Sequence, residues 1–102
     1  MIIYNVTCSV DPSVSEEWLQ WMREIHIPDV MECGIFKEAQ INKVLSEKDG
    51  GITYAIQYSC ESMKDLHHYQ VNFAPQLQKK HSQKYWDKVL AFRTLMEVIQ
   101  EY

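Results

Sequence analysis

Three stretches of this sequence alternate in character every second residue, and between them lie two whose apolar residues recur every third or fourth. In residues 2–10, Ile2, Tyr4, Val6, Cys8 and Val10 alternate with Ile3, Asn5, Thr7 and Ser9, the period of a strand with one buried face. Ile52, Tyr54, Ile56, Tyr58 and Cys60 repeat the pattern more cleanly. Near the end, Leu90, Phe92, Thr94, Met96 and Val98 alternate with Ala91, Arg93, Leu95, Glu97 and Ile99. A mixed segment from Ile35 to Ser46 reads as a further strand, and Asp49-Gly50-Gly51 supplies the positive-φ residues for a hairpin into the next.

The helical stretches have start and stop signals of their own. After the turn Asp11-Pro12-Ser13, either Ser13 or Ser15 can cap a helix whose first turn carries Glu16 and Glu17. Val14, Trp18, Trp21, Met22 and Ile25 form its apolar stripe, with His26 at the edge. Pro28 cannot donate to the carbonyl of Glu24, so a bend or restart is expected there before the helix ends at Cys33-Gly34. Ser62 and Asp65 resemble a capping box for a second helix, along which Met63, Leu66, Tyr69, Gln70, Phe73 and Leu77 repeat. Pro75 interrupts that helix and restarts it as far as Tyr85.

The order β-α-β-β-α-β is that of the ferredoxin-like split βαβ unit, an α+β fold with a four-stranded antiparallel sheet and two helices on one face. A chain of 102 residues has room for one such domain, spanning 1–102. With the more apolar series of each strand turned toward the helices, Asn5, Thr7, Ala55, Gln57 and Arg93 are expected on the opposite, polar face.

Composition excludes several classes of function. A net charge of −4 offers no footprint for nucleic acid, and the local run Lys79, Lys80, His81, Lys84 and Lys88 reads as a solvated helix face. No apolar run approaches the ~20 residues that span a bilayer, and the amino terminus lacks the basic region of a signal peptide, so an unprocessed protein that does not engage membranes is expected. Cys8, Cys33 and Cys60 are an odd set without a CxxC pair, which argues against a disulfide framework or zinc ribbon and for a reducing, cytoplasmic setting. Cys8 and Cys60 should fall at opposite ends of antiparallel neighbouring strands.

Met1-Ile-Ile-Tyr-Asn-Val-Thr, the helix Trp18 to His26-Ile-Pro28, Gly51-Ile-Thr-Tyr-Ala-Ile-Gln-Tyr and Leu90-Ala-Phe-Arg93-Thr resemble the bacterial family catalogued as domain of unknown function 4286. The resemblance covers essentially the whole chain. More broadly the chain is similar to the dimeric α/β barrels, which implies a homodimer that pairs two ferredoxin-like subunits through their sheets and a small ligand in a cleft between helices and sheet. Such relatives include cofactor-independent monooxygenases, haem-degrading enzymes, isomerases and proteins without a known reaction, so function is not inherited from the fold.

His26 is the one candidate catalytic residue, because imidazole exchanges protons near neutral pH and here it ends an aromatic helix face. The competing account is a structural histidine bonded to backbone at the Pro28 kink. Trp18, Trp21 and Met22 on that helix, with Tyr54 and Tyr58 on the facing strand, are the expected ligand-binding wall, although indoles on a helix stripe are also ordinary core. Arg93 is read either as a partner of Glu97 or as a contact for an anionic ligand or a partner subunit's carboxylate. His67 and His68 point about 100° apart and His81 completes no local motif, so no metal site and no cofactor are expected. Cys33 has no histidine within reach by spacing, and Cys8 and Cys60 read as core residues on strands, which leaves no nucleophile. The resulting expectation is a homodimer binding a small apolar or aromatic ligand. The alternatives are a cofactor-independent monooxygenase-like enzyme or isomerase with a histidine base, and a structural or regulatory dimer without ligand.

Overall fold

The alternation in residues 2–10 does set a strand, and the rest of the molecule is laid against it. In the computed structural model, which describes residues 1–45 and 52–102, β1 (Ile2–Val10) lies inside a four-stranded antiparallel sheet of order β2-β3-β1-β4. The other strands are β2 (Glu38–Lys43), β3 (Ile52–Cys60) and β4 (Val89–Glu97). With helices between β1 and β2 and between β3 and β4, this is the ferredoxin-like order. β2 is shorter than residues 35–46: at its start Phe36 is drawn into the core before the strand begins. Ser46 and the expected hairpin residues Asp49-Gly50-Gly51 lie outside the described residues.

The first helical run is α1 (Ser15–Trp21), a π-helical turn (Met22–His26) and α2 (Ile27–Glu32). Its entry is capped by Asp11 rather than by a serine: the carboxylate accepts the Ser13 N–H at 2.9 Å and opens a short 3₁₀ turn, Pro12–Val14. Gly34 ends the run at φ +78°, a left-handed conformation that glycine adopts without strain. The second run is α3 (Met63–Asn72) and α4 (Ala74–Tyr85), where the Ser62 hydroxyl accepts the Asp65 N–H at 3.2 Å and Pro75 occupies the first turn of α4.

Register decides which side chains meet the helices, since residues directly opposite in an antiparallel pair share a face. Tyr4, Val6 and Cys8 stand opposite Tyr58, Ile56 and Tyr54 on one side and opposite Leu95, Arg93 and Ala91 on the other. The helix-facing series of β4 is therefore Val89, Ala91, Arg93, Leu95 and Glu97. This reverses the expectation for that strand: Arg93 faces the helices, while Leu90, Phe92 and Met96 lie on the outer face beside Ile3, Asn5 and Thr7. Both series of β4 are largely apolar, so the period alone could not choose between them, and a one-residue difference turns every side chain over. The outer face is thus largely apolar along β4, where Leu90 is 75% and Phe92 63% exposed, and polar along β1 and toward β2, through Asn5, Thr7, Gln57 and Gln40.

Between sheet and helices the core gathers Trp18, Val30, Ile56, Leu66 and Tyr85. Tyr4, Phe36, Tyr58 and Tyr69 form an aromatic cluster toward one end, with centroids 4.8–6.2 Å apart. Cys8 is level with Tyr54 and Cys60 with Ile2, six residues of strand away, roughly 20 Å. All three thiols are free.

Candidate functional site

The site begins with a local conflict in the first helical run. Because Pro28 carries no N–H, the turn before it cannot close in the α pattern, and the Ile27 N–H bonds instead to the carbonyl of Met22, five residues back. A wider turn rotates less per residue. On a regular helix residues 21 and 26 would stand about 140° apart. Here their rings stack at 5.0 Å between centroids with 27° between planes. The same shift carries Ile25 out of the stripe expected for it, leaving it exposed, and brings His26 in.

His81 on α4 completes the arrangement. Its ring lies 5.8 Å from that of His26, and its Nε2 accepts the indole N–H of the fully buried Trp18 at 3.0 Å. An indole can only donate, so Nε2 must be the unprotonated nitrogen and the neutral ring carries its proton on Nδ1. Burial holds both imidazoles below their ordinary value. For His26 the drop is to about 4, caused first by burial and then by the charge of His81, with Asp29 opposing. For His81 burial comes first, followed by the charge of Arg93. At neutral pH the site therefore holds two uncharged imidazoles: His26 can accept or donate a proton, whereas the acceptor nitrogen of His81 is taken by Trp18 and its ring offers the Nδ1 N–H.

These rings open onto a cavity of about 270 Å³ between the helices and the β1–β4 half of the sheet. His26, Met22, Tyr58 and Arg93 line it together with Tyr4 and His81. Arg93 donates from Nε to the Tyr4 hydroxyl at 2.9 Å. Burial raises the Tyr58 hydroxyl out of the physiological range, so it stays protonated. Cys8, also in the wall, is pushed up to about 12 by burial, which removes it as a nucleophile. Among the described residues no group of three or more His, Cys, Asp and Glu side chains is placed to hold a metal ion, and no helix is long and apolar enough to cross a membrane.

The family model described as domain of unknown function (DUF4286) matches residues 1–99. The chain belongs to this family. No curated protein matches the sequence. Among solved structures the DUF4286 chain is similar to a dimeric ferredoxin-like protein from an uncultured marine organism (TM-score 0.75, 11% identity, covering 100% of this chain and 98% of that one). It is also similar to a putative antibiotic biosynthesis monooxygenase from Deinococcus radiodurans (TM-score 0.69, 16% identity, 100% and 96% covered). A third is MhuD with two manganese protoporphyrin IX bound per active site (TM-score 0.70, 14% identity, 100% and 98% covered). At these identities the likeness concerns the fold.

Within this DUF4286 fold the side chains singled out from sequence divide into two sets. His26, Met22, Tyr58 and Arg93 meet in the cavity wall. Trp18, Trp21 and Tyr54 do not line it: Trp18 packs on Tyr54 at 5.3 Å and anchors His81 from behind, while Trp21 backs His26. Trp18 and Trp21 thus stand behind the imidazoles, with Tyr54 behind Trp18. His81, Tyr4 and Tyr69 belong to the wall and were not legible. Only the packing of α4 across the sheet could bring His81, 55 positions along the chain, to His26. His67 and His68 remain exposed on α3.

Proposed function

We propose that this protein is a homodimer of ferredoxin-like subunits that binds a small, partly aromatic ligand in the helix–sheet cleft. The observation that carries this reading is the cavity of about 270 Å³, in which uncharged His26 and His81 stand among tyrosine rings and Arg93. A hollow that joins apolar and aromatic surface with convergent polar groups and shifted titratable side chains has the makings of a small-molecule site, and this one is about as polar as apolar. In this role Met22 and Tyr58 contact the ligand and Arg93 orients it, while Trp18 and Trp21, the former packed on Tyr54, hold the histidines in place.

Dimerisation uses the outer face of the sheet. Leu90, Phe92 and Met96 leave an apolar strip uncovered there, and next to it Asn5 is only 8% exposed with its Oδ1 unpartnered among the described residues. A second copy would cover the strip and give that oxygen a donor. One similar structure is itself described as dimeric. The free thiols suit a cytoplasmic setting.

A second reading is favoured by the imidazole pair: a cofactor-independent monooxygenase-like enzyme or isomerase in which His26 takes a proton from a bound substrate. His81, 5.8 Å away between centroids, is then the group placed to stabilise the charge that develops. Native mass spectrometry of freshly purified protein tests the main reading. The expected spectrum is a dimer carrying a small adduct or taking one up from a panel of aromatic compounds. A bare monomer that takes up none would end it.

A further inference from the structure

The chemistry of the cavity wall narrows the ligand class, an inference that rests on the ligand-binding reading above. Although the chain is acidic overall, with 14 Asp and Glu against 10 Lys and Arg, no carboxylate lines the cavity, and its one permanent charge is the Arg93 guanidinium. Tyr4 holds that guanidinium by its Nε edge at 2.9 Å, which sets its plane. Among the described residues its two Nη groups have no acceptor and no ion-pair partner. A guanidinium fixed on one side and open on the other is a two-pronged seat for a planar acid.

The remaining wall sets the rest of the molecule. Both imidazoles are held uncharged, so a single positive charge faces the ligand and matches a monoanion; a dianion would bring one charge without a partner. Tyr58, Tyr69 and the two imidazoles offer ring faces and edges, together with polar atoms that an alkyl chain would bury unpaired. A volume of about 270 Å³ lies just below the usual range of ligand pockets, which run from about 300 Å³ upward, and limits the ligand to one or two rings. We propose that the cavity selects an aromatic monocarboxylate of one or two rings, its carboxylate on the free edge of Arg93 and its ring among Tyr58, Tyr69, His26 and His81.

The test is a titration of the purified full chain at pH 7.5 with 2-naphthoate, the neutral 2-naphthalenemethanol, 2-naphthol and decanoate, followed by calorimetry. We expect 2-naphthoate to bind at least tenfold tighter than the other three. Arg93→Gln should remove that preference while retaining the weaker binding of 2-naphthalenemethanol, and Arg93→Lys, which keeps the charge without the fork, should restore only part of it. Equal affinity for the alcohol, or an intact preference in Arg93→Gln, would overturn the carboxylate assignment and leave the ligand-binding reading standing. Tighter binding of decanoate would overturn the aromatic assignment, tighter binding of 2-naphthol the carboxylate one. No binding of any probe at millimolar concentration would overturn both the proposal and the reading beneath it. Melting curves of the two variants show whether a loss of binding reflects a loss of fold.

Discussion

Lowering the pH from 7 to 5 should destabilise this protein through His26. Its folded-state value is about 4 against an ordinary 6.5, so the unfolded chain takes up a proton over this range and the folded one largely does not. Stability contributed by the neutral imidazole is therefore complete above about 6.5 and lost as pH falls toward 4. Each unit of separation is about 1.36 kcal/mol, and from pH 7 to 5 roughly a unit and a half is traversed, giving about 2 kcal/mol. His26 is partly accessible to solvent, which brings the expectation to about 1–2 kcal/mol. His81, also held low by burial, adds in the same direction. The carboxylates held low, Asp11 by the Ser13 N–H and hydroxyl and Glu61 by Lys37, lose their contribution only below the ordinary carboxylate range, outside this window. Urea denaturation at pH 7, 6 and 5 on the native protein and on His26→Gln measures the effect. The native protein should lose stability between pH 7 and 5, and the variant should lose less. Equal stability of the native protein at pH 7 and pH 5, or an unchanged loss in His26→Gln, would refute the argument that burial keeps this imidazole neutral.

Two further outcomes follow from the same geometry. Phe92→Glu, on the outer face, should convert the proposed dimer to a monomer in multi-angle light scattering with little change in the far-ultraviolet circular dichroism; a dimer that persists would place the interface elsewhere. Trp18→Phe removes the fully buried indole that donates to His81 Nε2 and should cost about 1–3 kcal/mol for the orphaned acceptor. It should also change the ¹⁵N shifts of the His81 ring, because the tautomer is no longer set; unaltered shifts would show that the indole does not set it.

The order of elements was legible because periodicity and capping are local. The two-residue alternation of β1 and β3, the Ser62 cap and the prolines at 28 and 75 act within a few residues of themselves, and they produce the same strands and helices in the folded chain. The separation of Cys8 from Cys60 followed from strand order and length alone. What local pattern could not decide is which way a strand with two apolar faces turns. Register against β1 put Arg93 on the helix-facing side and Phe92 on the outer one, and with that exchange the cavity gained its charge and the outer face its apolar strip. The loss of one N–H at Pro28 was visible, but its consequence was displaced one turn upstream: the π turn that trades Ile25 for His26 depends on the bonds available to the whole helix. His81 acquired its place only when α4 crossed the sheet, since its hydrogen bond to Trp18 spans 63 positions and carries no signature in either segment. Local sequence determines the elements here, and long-range packing determines which side chains meet, because a contact between distant segments depends on register and docking that no short window encodes.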